Sequence, residues 1–147
     1  MKEQLKLENQ LCFPLYAAAR KITGLYTPFF RPLGITYTQY IVFLALWEHD
    51  HLSVSELSKL LYLDSGTLTP LLKKMEAAGY VTRTRCPEDE RVVRISLTEK
   101  GRALEEKAAE IPAGVGSCVN LSRQEAQVLY SVLYKILGEE TNAQANR

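Results

Sequence analysis

The sequence predicts a mainly α-helical chain carrying one small β-hairpin, and three observations carry the prediction. Apolar residues recur at three- and four-residue spacing along most of the chain. Helix start signals stand ahead of two of these runs, at Ser53 and at Asp64 and Ser65. Only Tyr80–Arg85 and Val92–Thr98 read as strands, and the polar turn Cys86-Pro-Glu-Asp-Glu-Arg91 joins them into a hairpin with a charged tip. With 147 residues, 46% hydrophobic and 24% charged, the chain suits one soluble domain with a sizeable core.

The elements follow in order. Phe13–Tyr26 reads as a helix whose buried face holds Leu15, Tyr16, Ala19, Ile22 and Tyr26. Pro14 sets its start, because proline is accepted in a first helical turn and disruptive further in; Cys12 therefore sits at the helix mouth. Gly24, Pro28 and Pro32 bring a break. Thr38–His49 is apolar nearly all round, as a central packed helix should be. Ser53-Val-Ser-Glu56 is a capping box opening a short helix through Leu57, Leu60 and Leu61. Asp64 and Ser65 then cap a helix through Leu68, Leu71, Leu72 and Met75, which Gly79 closes. After the hairpin, a helix from about Glu99 carries Leu104, Ala108, Ile111 and Val115 on one face, and Pro112, Gly114 and Gly116 should bend or end it. A last helix runs from Ser122 to Leu137, and the polar tail from Glu139 should fray.

Composition excludes several classes of function. No stretch looks like an export signal or a membrane span, which points to the cytoplasm. Three cysteines (Cys12, Cys86 and Cys118) make an odd count without CxxC spacing, so neither a disulfide framework nor a metal site is expected; no cofactor is implied. The net charge of +1 argues against nucleic acid if taken globally. Charge is uneven, however: Lys73, Lys74, Arg83, Arg85, Arg91 and Arg94 lie close together in sequence, and local basicity is what meets phosphate.

Short helix, turn, capped helix and charged hairpin is the order of a winged helix-turn-helix. The helix from Asp64 would enter a major groove with Ser65, Thr67 and Thr69 toward bases or phosphates and Lys73 and Lys74 on the flanking backbone. Arg91 at the hairpin tip would reach the minor groove, with Arg83 and Arg85 supplying charge at its base. The same pattern also fits a small packing unit with a solvated charge cluster. Cys12 has two readings as well. A lone cysteine is commonly a small buried hydrophobe, whereas a helix N-terminus favours the thiolate that reacts with peroxides.

The stretch Leu63-Asp-Ser-Gly-Thr-Leu-Thr-Pro-Leu-Leu-Lys-Lys-Met-Glu76, with Asp89-Glu-Arg91 and Ile95-Ser-Leu-Thr-Glu99, resembles the MarR family over Leu5 to about Leu137. Gln10-Leu-Cys-Phe13 with Leu15-Tyr16 resembles its OhrR branch of organic-hydroperoxide sensors. The resemblance implies one MarR-type domain over 1–147, with dimerisation helices in 5–34 and 99–138 around a DNA-binding lobe at 36–98. It implies a homodimeric regulator of double-stranded DNA, expected to repress from a pseudo-palindromic operator, and not an enzyme. Cys12 corresponds to the peroxide-reactive cysteine, and Tyr26 and Tyr37 to tyrosines that hydrogen-bond its sulfur across the dimer. Asp64, Ser65, Thr67, Thr69 and Lys74 fall on the DNA-contacting helix, Asp89 and Arg91 on the wing. Cys118 lies near the resolving cysteine of two-cysteine members; Cys86 or a small cellular thiol are the other resolving candidates. The alternatives are a MarR repressor answering to a small aromatic ligand, a thiol peroxidase, and an adaptor that contacts protein.

Overall fold

The computed structural model describes residues 2–138. Two single 3-10 turns, Glu3–Leu5 and Leu7–Asn9, precede eight α-helices among the described residues: α1 (Cys12–Gly24), α2 (Thr27–Phe30), α3 (Tyr37–Glu48), α4 (Val54–Leu61), α5 (Ser65–Ala77), α6 (Glu99–Ala108), α7 (Ile111–Gly116) and α8 (Arg123–Leu137). A third 3-10 turn, Arg31–Leu33, and three short strands complete it: β1 (Leu52–Ser53), β2 (Val81–Arg85) and β3 (Val93–Leu97). The prediction of a mainly helical chain with a small hairpin holds. The chain divides into two compact units between Val115 and Gly116.

Local chemistry accounts for the helix starts. Glu56 N–H donates to Ser53 Oγ at 3.1 Å and Ser53 N–H to Glu56 Oε2 at 2.7 Å, closing the predicted capping box. Ser122 and Glu125 repeat it on α8, and Thr36 and Gln39 supply one on α3 that the apolar pattern does not announce. Asp64 caps α5 through Thr67 N–H at 2.8 Å. At the other end Gly79 takes φ +78°, with Gly79 N–H on Glu76 O and Tyr80 N–H on Met75 O, the paired bonds of a Schellman stop.

The core of the first unit lies where α3, α4 and α5 meet the sheet. Val42, Phe43, Leu46, Leu57, Leu68, Leu72, Met75, Val81 and Ile95 are almost wholly shielded from water. Each side chain of leucine size buried there contributes about 2–3 kcal/mol of transfer free energy. The sheet runs β1-β3-β2, all antiparallel, with Leu52 and Arg83 on either side of Ile95. The predicted hairpin is β2–β3; β1 is an addition, since two residues carry no periodicity.

Three expectations need correcting. The first helix ends at Gly24, so Tyr26 lies beyond it, just ahead of α2. Within the single chain no residue of α1 is buried: Tyr16 is 60% exposed, and Leu15 and Ala19 also face solvent, while Ile22 and Tyr26 are half-covered. The apolar stripe of α8 behaves alike, with Val128, Val132 and Ile136 exposed. Finally, the break after Glu99 falls at residues 109–110, ahead of Pro112, which stands in the first turn of α7. Leu104, Ala108, Ile111 and Val115 are nevertheless all buried, as their spacing predicts. The tail from Glu139 lies outside the described residues.

Candidate nucleic-acid interface and thiol site

Helix α5 and the hairpin present the predicted polar groups. Ser65 and Gly66 form the exposed first turn of α5, next to the Asp64 cap. Thr67 is exposed and its hydroxyl donates to Asp64 Oδ2 at 3.2 Å. These two bonds from Thr67, its N–H first, hold the Asp64 carboxyl below its ordinary range. Thr69 is half-buried, and Lys73 and Lys74 stand exposed on the helix. Pro70 sits inside α5, so the Gly66 carbonyl lacks its usual intrahelical donor, a feature that reading the apolar period alone overlooks.

The hairpin tip is braced from within. Arg91 forms a forked pair with Asp89 (Nε to Oδ1 3.0 Å, Nη2 to Oδ2 3.1 Å) yet remains 91% exposed. Arg85 donates to Glu90 O at 2.9 Å across the turn. Cys86 lies at the wing, its thiol donating to Glu88 Oε2 at 2.9 Å. A contact that sequence reasoning missed joins wing to helix: Glu76 of α5 accepts the Arg83 N–H at 3.2 Å, and its other oxygen lies 3.5 Å from the Arg83 guanidinium.

The residues expected at a thiol site are placed as follows. Cys12 is the first residue of α1, is exposed, and precedes Pro14 in the first turn. The N-cap residue, Leu11, makes no side-chain hydrogen bond to that helix start. Among the described residues Cys12 makes no hydrogen bond to either tyrosine. Tyr26 and Tyr37 are brought together, rings edge to face at 5.1 Å, in a cluster with Phe30 and Tyr40. Burial, and secondarily Tyr26, raises the Tyr37 phenol above its ordinary value, so Tyr37 stays an O–H donor at neutral pH. In the second unit Cys118 is exposed, between α7 and α8, with Ser117 Oγ at 3.9 Å.

Helix α5 thus stands beside a charged hairpin, over the core that it shares with α3 and α4. The family described as Transcriptional regulator SarA/Rot matches residues 25–108, more than half of the chain. The chain belongs to this family. Its members are winged-helix transcription regulators of MarR type, so the protein is a DNA-binding regulator and not an enzyme. It is 51% identical over 144 residues to the Organic hydroperoxide resistance transcriptional regulator of Bacillus subtilis, covering 98% of this chain and 97% of that protein. The structure of reduced AbfR bound to DNA superposes with a TM-score of 0.76 at 36% identity, covering 93% of this chain and 96% of the other. Disulfide-formed AbfR gives a TM-score of 0.64 at 36% identity over 92% and 95%. Among the described residues of this SarA/Rot-family chain, no helix is long and apolar enough to cross a membrane.

Proposed function

We propose that the protein is a cytoplasmic, homodimeric repressor that releases a pseudo-palindromic operator when an organic hydroperoxide oxidises Cys12. The observation that carries this reading is the placement of Cys12: an exposed thiol at the first residue of α1. The thiolate is the form that attacks peroxides, and exposure leaves Cys12 within reach of one. The relationship to the Bacillus regulator supports an organic hydroperoxide as the signal.

The chemistry balances simply. The Cys12 thiolate attacks the outer peroxide oxygen, the O–O bond breaks, the alkoxide leaves and takes a proton as the alcohol, and Cys12 becomes a sulfenic acid. The Cys118 thiol of a second copy then displaces water, giving a disulfide; Cys86 or a small thiol are the other resolving groups. Tyr26 and Tyr37 supply O–H donors to the sulfur anion across the dimer. The exposed apolar faces of α1 and α8 suit the partner copy, because solvated leucine, valine and isoleucine rows of this extent mark an interface. Two copies of α5 about 34 Å apart would occupy successive major grooves, with Ser65, Thr67 and Thr69 at base edges and Asp64 holding the helix start. Lys73, Lys74 and Arg85 would lie along phosphates, and Arg91, with Asp89, in the minor groove. Oxidation at α1 shifts the dimer helices and so the spacing of the two reading heads.

One experiment tests the switch. Stoichiometric cumene hydroperoxide is added to reduced protein bound to a duplex enriched from a random pool, followed by intact-mass and gel-shift measurement. The expected result is oxidation of Cys12 with loss of the shift, read as a disulfide-linked dimer in the wild type and as one added oxygen in Cys118→Ser, and insensitivity in Cys12→Ser. On a non-reducing gel the dimer-sized band should vanish in both Cys12→Ser and Cys118→Ser. An unmodified Cys12 with DNA binding intact would refute the redox reading.

A further inference from the structure

Asp50 lies just past the end of α3, and its carboxylate collects donors from three directions. Oδ1 accepts the Leu97 N–H at 3.0 Å and the His51 N–H at 2.9 Å, and Oδ2 accepts the Arg102 guanidinium. Leu97 is the last residue of β3, the inner strand of the wing; Arg102 stands in the first turns of α6. With its side chain only 15% exposed, Asp50 is a nearly buried charge whose bonds all join separate elements or hold its own turn. His51, the next residue, takes φ +64°, a left-handed conformation that a non-glycine residue adopts at a cost. That turn is locked by further bonds to the same strand: His51 Nδ1 is 2.6 Å from Ser96 Oγ, and Arg94 of β3 donates to His51 O at 3.0 Å. Trp47 Nε1–H adds a bond from α3 to Gly101 O of α6 at 3.1 Å.

We infer that Asp50 is a positioning residue for DNA recognition: it fastens the root of the wing to α3 and to the first turns of α6, and thereby sets where the wing tip lies. The inference rests on the reading of the wing as a DNA contact. Geometry gives it leverage. β3 takes four steps from its tip-side end, Val93, to Leu97, about 13 Å at strand rise. A tilt of about 10° at the root therefore carries the far end of the strand about 2 Å, beyond what a hydrogen bond to DNA tolerates. Only Thr98 separates Leu97 from α6, so the wing root and α6 are tied twice, once by the chain and once by this carboxylate, which holds both to the end of α3. The bonds of this junction run to α3, β3 and α6 rather than to the recognition helix, so the effect reaches DNA through Arg91 and its neighbours at the tip.

That route makes the inference testable against a merely structural role. Affinity for a duplex enriched from a random pool on the wild-type dimer is measured for Asp50→Asn, for Arg91→Ala and for the double variant, with melting temperature recorded for each. Asn keeps an acceptor for Leu97 but turns away Arg102. The expected result is a loss of about tenfold from Asp50→Asn when Arg91 is present, shrinking to less than about twofold when Arg91 is alanine. Equal factors in both backgrounds, or no loss with Arg91 present, overturn it. Arg102→Gln, which breaks the same pair from its more exposed side, gives the same cycle should Asp50→Asn not fold. A wild-type dimer that enriches no duplex refutes the DNA reading itself, whereas enrichment with an additive cycle refutes only the role of Asp50.

Discussion

Gly101→Ala sets intrinsic helix preference against tertiary packing, and the two predict opposite signs. Gly101 is buried in α6. In an isolated helix alanine would gain about 1 kcal/mol over glycine. Here an added Cβ would lie 2.3 Å from Tyr80 O and 3.0 Å from Leu97 Cδ2. Tyr80 O cannot yield freely, because it accepts the Thr98 N–H at 3.0 Å and lies 3.1 Å from the Thr98 hydroxyl, whose nearer acceptor is Gly79 O at 2.7 Å. Ordinary contact begins at 3.4 Å, so α6 must withdraw by about 1 Å. That shift strains a packed junction at about 1–3 kcal/mol and loosens the Trp47 bond to Gly101 O, worth about 1 kcal/mol. The net is a destabilisation of about 2 kcal/mol, or a drop in Tm of about 4–8 °C for a chain of this size. Thermal unfolding of reduced protein, followed by circular dichroism at matched concentration, reads it directly, since dimer stability depends on concentration. Trp47 is the sole tryptophan, so its emission should shift to longer wavelength in the folded variant. A Tm equal to or above that of the wild type would refute the packing argument.

Two further outcomes follow from residues at the two ends of α5. The Asp64 carboxyl is held below the ordinary aspartate value of 3.8 by the N–H and hydroxyl of Thr67, so its contribution is full above that value and is lost as pH falls through the lower, folded one. Asp64→Asn keeps a capping acceptor but does not titrate; its urea midpoint should converge on the wild type's as pH drops below about 4, and a constant gap would refute the assignment. Gly79 has φ +78°, and a Cβ added there would meet only Lys100 Cδ, at 3.9 Å. Conformation rather than space should therefore set the cost: about 1 kcal/mol for Gly79→Ala and less for Gly79→Asn, measured by urea unfolding, with equal costs counting against it.

The features legible in residue order alone are local in origin. Asp64 and Ser53 find their partners three residues on, Gly79 ends α5 with bonds inside one turn, and Pro14 sets the start of α1 at Cys12. The charged tip between two short strands was legible for the same reason, as was the apolar face from Leu104 to Val115. Other features depend on residues far apart in the chain and emerge only on folding. β1 exists because Leu52 pairs with Ile95, and two residues alone carry no signal for it. Asp50 reads as a polar residue ending a helix, and becomes a junction only when Leu97 and Arg102, 47 and 52 residues on, fold against it. Glu76 meets Arg83 only once the chain turns at Gly79. The apolar stripes of α1 and α8 mark the opposite limit: periodicity told that those faces seek cover, and the folded single chain leaves them exposed. Backbone hydrogen bonding and capping act over three or four residues and are written in local order, whereas burial and ion pairing depend on which distant surfaces the fold brings together.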